Sequence, residues 1–169
     1  MPAPVAAGAA SLPVTAIMLA LSSASGALAQ RIGPRLPLTI GPLVIAAGMV
    51  LMTRIGPGAS YGTVVLPAVV VFGLGLAATV APVTAAALAA ADERHAGVAS
   101  GVNNAVARTA GLLAVALLPP LSGLTGDAFR SPAAITAGFH TAMLISAGLA
   151  ALGGVLAFAT ISNDLLAEE

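Results

Sequence analysis

The sequence predicts an all-α, polytopic membrane helical bundle, and three observations support this prediction. Of its 169 residues, 59% are hydrophobic and only 7% are charged, whereas soluble domains carry about 25% charged residues. The apolar residues form five stretches close to the ~20 residues that a helix needs to cross a bilayer. The charged residues, except Arg108, lie in the breaks between these stretches or at their edges. Because lipid accepts only internally hydrogen-bonded backbone, we expect helices.

The whole chain, residues 1–169, is expected to form a single membrane domain with about five transmembrane helices. The spans are predicted at residues 9–29, 37–54, 63–88, 97–119 and 138–161. The bilayer is the first partner that this composition implies.

The first span is followed by a polar break at residues 30–35. Ala27-Leu28-Ala29 also resembles a signal-peptidase site after an apolar run, which would make this stretch a cleaved leader. Residues 1–20 contain no Lys or Arg, so the positively charged region of a signal peptide is missing. We therefore interpret the stretch as a span.

Prolines and short polar breaks delimit the next two spans. The second begins near Pro37 and ends at a break over residues 54–58. The third contains Pro82, where we expect a kink because proline removes a backbone hydrogen bond within a helix. A charged break at residues 92–95 follows it.

A longer break that holds Asp127 and Arg130 separates the last two spans. The fourth span ends at Pro119-Pro120. His140 lies near the start of the fifth, and we interpret it as an interfacial or packing histidine.

The arginines indicate an orientation. Five spans place the two termini on opposite sides of the membrane. A cytoplasmic C-terminus would put Arg31, Arg35 and Arg94 in inner loops, and Arg54 and Arg130 in outer ones. The excess of inner arginines favours this orientation in the plasma membrane.

Several absences argue against other functional classes. The chain has no Cys and no Lys and only two His, so it lacks a thiol nucleophile, a Schiff-base lysine and a histidine cluster for a metal. Its net charge of zero gives no basis for binding nucleic acid. We expect no enzyme activity, no cofactor and no metal site.

The fourth span carries a small, polar helix face. At 100° per residue, one face about 100° wide holds Gly97, Ser100, Gly101, Asn104, Arg108 and Gly111. We expect the three glycines to permit close helix packing. An ionisable residue deep in a span is by default a candidate functional site. Arg108, with Ser100 and Asn104, is therefore assigned either to a substrate pathway or to a structural helix interface.

The first polar break resembles a known transporter motif. Gly26, Leu28, Arg31, Gly33 and Arg35 match the pattern G-x-L-a-D-r-x-G-r-r, and Gln30 stands where an acidic residue is expected. On spacing alone, the segment would be an ordinary positive-inside loop. The pattern resembles the cytoplasmic loop of the major facilitator superfamily, and the missing acid resembles its degenerate second copy.

The polar run of the fourth span is similar to the drug:proton antiporter branch with fourteen spanning helices. Gly97, Ala99, Ser100, Gly101 and Asn104 match the first part of a G-x-A-S-G-x-x-N-x-x-R-x-x-G-like run of that branch, and Arg108 and Gly111 stand one position beyond its arginine and last glycine. The resemblance implies the final five helices of a multidrug or small-molecule exporter, with an unknown substrate and a missing N-terminal half as partner.

The positions of the acidic residues bear on how transport would be driven. All six acidic residues lie in loops or in the tail, so any carboxylate that couples transport to protons would belong to a part not present here. The alternative function is a small non-transport membrane subunit that scaffolds a partner through its Gly and Ala faces.

Overall fold

The computed structural model describes residues 8–89, 91 and 93–163 of the chain. Within these residues the fold contains five long helices and no strand, which confirms the predicted all-α membrane bundle. Each helix is long and apolar enough to cross a membrane. The helices are α1 (Leu12–Ile32), α2 (Arg35–Met52), α3 (Leu66–Ala89), α4 (Ala96–Leu121) and α5 (Pro132–Thr160).

The break between α1 and α2 is shorter than predicted. Helix α1 continues three residues beyond the expected end at residue 29, so that Gln30 and Arg31 lie in its last turn. Gly33 ends α1 with a φ of 84°, a conformation that glycine adopts without steric cost. Pro34 follows and directly precedes α2. The motif is therefore a tight corner between two helices.

Helix α5 begins at Pro132, six residues before the predicted boundary at residue 138. The Ser131 side chain accepts a hydrogen bond from the Ala134 amide (3.3 Å), which caps the helix. Pro132 occupies the first turn, where its missing N–H costs nothing.

Short helical turns connect the long helices. A π-helical turn at Tyr61–Val65 leads into α3, and 3-10 turns at Glu93–His95 and Gly126–Arg130 precede α4 and α5.

Asp92 and the acidic tail at residues 164–169 lie outside the described residues. Helix α3 continues without a break past Pro82, and the Pro82 side chain is fully buried. The kink at Pro82 stays a prediction.

The helices pack around α2. Helix α2 makes its most extensive contacts with α3 on one side and α5 on the other, and α1 packs against α3. Glycines allow the backbones to approach closely. A Cβ atom at Gly48 would lie 2.6 Å from the Phe72 nitrogen, and one at Gly154 would lie 2.8 Å from the Thr39 carbonyl oxygen. A larger side chain at either position would force α2 away from its neighbour.

Polar contacts also join α2 and α5 near both of their ends. At one end, called the Arg35 end, the Arg35 side chain contacts Phe158. At the opposite end, called the His140 end, the His140 ring contacts the Ile55 carbonyl just beyond α2. The two helices therefore run antiparallel as a fastened pair.

Helix α4 lies at the margin of this arrangement. It makes only limited contacts, mainly with α3 and α5, and none of its residues is buried. Large apolar side chains such as Val98, Leu112 and Val115 are more than 60% exposed. The face that carries the polar motif is consequently left largely uncovered by the described residues.

Candidate functional site

The polar residues of α4 lie on an open surface. Ser100 is half-buried, whereas Asn104 and Arg108 are exposed. The Asn104 amide donates a hydrogen bond to the Ser100 carbonyl oxygen at 3.1 Å, which is a contact within the same helix. The structure places these residues along one helix but does not use their side chains to hold α4 against the other helices. Both roles assigned to them stay predictions.

The three glycines of this face have free space around them. Among the described residues, no atom beyond the adjoining backbone lies within 4 Å of a Cβ atom built at Gly97, Gly101 or Gly111. They do not pack against another helix of this part of the chain. Their role in helix packing stays a prediction, and it concerns a surface that the five helices leave open.

Arg108 occupies the middle of α4. It lies twelve residues after Ala96 and thirteen before Leu121, which places it about 18–20 Å along the helix axis from either end. Within the described part of the chain, its guanidinium has no hydrogen bond, ion pair or aromatic contact. An anion or a ring of carbonyl oxygens would be its natural partner.

The Arg35 end shows how a guanidinium of this chain is held when it has a partner. Arg35 is half-buried, and its Nε donates a hydrogen bond to the Phe158 carbonyl oxygen at 2.9 Å. Its guanidinium carbon lies 4.2 Å from the centre of the Phe158 ring, within the range of a cation–π contact. The last carbonyls of a helix carry partial negative charge and lack partners in the helix. Arg35 therefore fastens the start of α2 to the end of α5.

The other motif residues of this corner fall into two groups. Gly33 approaches the Asn163 side chain so closely that a Cβ atom could not be accommodated, and Gly26 faces Ala81 of α3. Leu28, Gln30 and Arg31 are exposed instead. The structure thus brings Gly26, Gly33 and Arg35 into helix contacts and leaves the remaining three residues accessible.

The His140 end closes the opposite side of the bundle. The His140 Nε2 lies 3.0 Å from the Ile55 carbonyl oxygen. Because a carbonyl only accepts, Nε2 carries the hydrogen in this contact. Near it lies an open cavity of about 430 Å³, lined by Pro57, Pro132, Ala133, Thr136, Ala137 and His140. The lining is mostly apolar, and the described residues contain no group of three acidic, His or Cys side chains that could hold a metal.

Several functional contacts were not anticipated from the sequence. Phe158 and Asn163, the partners of Arg35 and Gly33, lie in or just after α5 and carry no local signal that links them to the corner. The closely packed glycines were also missed. Gly41 and Gly48 are seven residues apart and share one face of α2, a spacing that would have identified them.

Comparisons with known proteins agree with the helical membrane architecture. A family model described as Major Facilitator Superfamily matches residues 1–115. The puromycin resistance protein pur8 of Streptomyces alboniger is 35% identical over 175 residues, covering 95% of this chain and 34% of that protein. The tetracenomycin C resistance and export protein of Streptomyces glaucescens is 33% identical over 127 residues, covering 75% of this chain and 23% of that protein. The chain thus spans a third or less of the length of these relatives. No solved structure gives a significant match.

Proposed function

Because the chain belongs to the major facilitator superfamily, we propose that it is the C-terminal part of a transporter that exports small molecules from the cell. The names of these two relatives concern drug resistance and, in one case, export. Efflux of drug-like molecules is accordingly the activity that we assign to the complete transporter.

The observation that carries this proposal is the open polar face of α4. Transporters of this architecture bind substrate near the bilayer midplane, between two halves of the molecule. The face with Ser100, Asn104 and Arg108 is polar, runs from the first turns of α4 to its middle, and is largely uncovered by the described residues. These properties suit a surface that meets substrate or the other half of the transporter. The fastened α2–α5 pair would serve as the scaffold behind it.

We further propose that the transporter lies in the plasma membrane with the Arg35 end in the cytoplasm. This orientation puts Arg31, Arg35 and Arg94 inside, as the positive-inside rule favours. The chain contains no Cys, so single cysteines can be introduced without a background signal. A membrane-impermeant maleimide applied to intact cells should label S60C, at the His140 end, and should label Q30C only after the membrane is opened. The reverse pattern would invert the orientation.

Proton antiport is the energy source that we propose for the complete transporter. In the sequence, all six acidic residues lie in the breaks between the predicted spans or in the tail. The carboxylate that exchanges protons would therefore belong to the remainder of the transporter, which makes the chain alone incompetent for transport.

The test uses everted membrane vesicles from cells with and without the gene. With the gene intact, vesicles should take up puromycin when a proton gradient is imposed, and an uncoupler should abolish that uptake. The purified chain in liposomes should exchange no puromycin by itself. Exchange by the chain alone would refute the fragment assignment. Unchanged uptake after gene deletion, together with co-purification of an unrelated complex, would favour the scaffold function instead.

A further inference from the structure

The cation at the centre of α4 has no compensating charge among the described residues. Arg108 is exposed, and its side chain makes no ion pair or hydrogen bond with any described residue. Arg54 and Arg94 also have no such contact, but they lie beyond helix ends, where water is available. Arg108 is the one arginine of the sequence placed in the middle of a span. A guanidinium at that depth is costly unless it is paired.

The ends of the helix are too far away to solve this problem. Arg108 lies about 18–20 Å along the axis from either end of α4. A long side chain that extends toward the membrane surface suits positions near helix ends. Lipid phosphate and bulk water are therefore poor partners for a residue at the midpoint of a 26-residue helix.

The acidic residues of the chain are equally unsuitable. Glu93 and Asp127 lie in the short turns before α4 and α5, and the other four occupy positions 92, 164, 168 and 169 of the sequence, outside the described residues. Asp127 is paired with Arg130 at 3.1 Å in the loop before α5, and both side chains are almost fully exposed. The described helices therefore contain no acidic residue that could pair with Arg108 in the membrane.

We propose that Arg108 forms an ion pair within the membrane with a carboxylate on a helix of another polypeptide segment, namely the remainder of the transporter. This inference rests on the proposed function for the identity of that segment. The geometry of α4 supports a helix as the occupant. Gly101 and Gly111 lie on the same face, seven residues before and three after Arg108, with open space above both. Small residues at this spacing let a second backbone approach closely enough for a short acidic side chain to reach the guanidinium.

A carbodiimide cross-link tests this ion pair directly. The chain contains no Lys, so R108K introduces a single side-chain amine at the position of interest. In membranes that contain the complete transporter, a membrane-permeant carbodiimide activates the partner carboxyl, the amine attacks it, and an amide forms as the urea leaves. We expect a cross-linked species at least tenfold above the wild-type background. Mass spectrometry should locate the amide on an Asp or Glu within an apolar segment of the other polypeptide.

Two matched variants calibrate the reaction. R130K should link to Asp127 within the chain, because that pair is already in contact. R54K should give only background, because Arg54 is exposed and has no acidic partner among the described residues. A link in R130K without one in R108K would overturn the proposal. A link from R108K to an acid of this same chain would overturn it as well.

A second measurement covers the case in which lysine is too short to be linked. The measurement is the amount of the remainder of the transporter that co-purifies with the chain in mild detergent. It should fall at least fivefold in Arg108→Gln and remain near wild type in Arg108→Lys. It should be unchanged in Arg54→Gln. Equal recovery from Arg108→Gln and wild type would refute the ion pair. Neither readout depends on transport. A cross-link without drug export would refute the proposed function alone, and export without a cross-link or a loss of partner would refute the ion pair alone.

Discussion

Helices α2 and α4 are both long and apolar enough to cross a membrane, but they relate to the rest of the chain in opposite ways. Helix α2 packs between α3 and α5 and has polar contacts to α5 near both ends. Helix α4 buries none of its residues and has an unpaired cation at its midpoint. Helix α2 contains two glycines and α4 contains three. Those of α2 that touch neighbours are used inside the chain, whereas those of α4 face open space. An apolar composition allows both helices to enter the membrane. The contacts of each helix determine whether it stabilises this bundle or offers a surface to another segment.

The largest expected effect is the difference in stability between adding one methyl group to a glycine of α2 and adding one to a glycine of α4. Gly48→Ala should destabilise the bundle by about 1–3 kcal/mol, because the new Cβ atom would overlap the Phe72 backbone. Gly111→Ala should be neutral or stabilise the fold by up to about 1 kcal/mol, since alanine favours helix and nothing opposes it here. Unfolding by SDS titration from mild detergent measures both. Equal effects of the two substitutions would remove the distinction between α2 and α4.

The next effect concerns the contact at the Arg35 end. Arg35→Ala removes a charged hydrogen bond to the Phe158 carbonyl and the contact with its ring, and should destabilise the bundle by about 1–2 kcal/mol. Arg31→Ala is the matched control. Arg31 is exposed and has no described partner, so its loss should change stability by less than about 0.5 kcal/mol. The same SDS titration compares them, and a larger loss in Arg31→Ala would show that the corner is held differently.

A smaller effect is expected at the His140 end. His140→Ala removes one hydrogen bond to the Ile55 carbonyl, a contact that contributes about 0.5–1.5 kcal/mol. Hydrogen exchange of the amides at residues 53–60 should become faster, because the segment after α2 loses its tie to α5. Thr141→Ala serves as control, since that hydroxyl bonds only within α5. Unchanged hydrogen exchange after His140→Ala would mean that the hydrogen bond between His140 and Ile55 does not stabilise residues 53–60.

The smallest effect tests whether the loop between α4 and α5 secures α4. The Asp127–Arg130 pair lies in that loop, with 91% and 86% of the respective side chains exposed. Arg130→Gln should leave the SDS unfolding midpoint unchanged within error, because water screens such a pair. A clear shift of the midpoint would indicate that the loop helps to fix α4 in place.

The five helices could be predicted because composition alone forces them. Few charges and five continuous apolar stretches near the ~20 residues of a spanning helix favour helices over strands, which need only about 9–11 residues. Helix α5 begins at Pro132, whereas the span is predicted from residue 138, where the apolar stretch begins. Ser131 followed by Pro132 was the local signal for the correct start.

The contacts within the candidate site could not be predicted in the same way. Arg35 and Phe158 are 123 residues apart, and nothing near either residue specifies the other. Gly48 and Gly111 also look alike in the sequence, since each is a glycine in an apolar span. Only the arrangement of the helices distinguishes the glycine that is packed from the glycine that is open.

The long separation between Arg35 and Phe158 also sets an order of events during synthesis. At about 5–20 residues per second, the 123 intervening residues take about 6–25 s to be made. Through that interval the arginine of α2 lacks its Phe158 partner, and among the helices of this chain only α1 and α3 can then contact α2. The pairing that fastens the scaffold is consequently a late step of biogenesis, and a ribosome that stalls before Phe158 leaves a membrane intermediate lacking it.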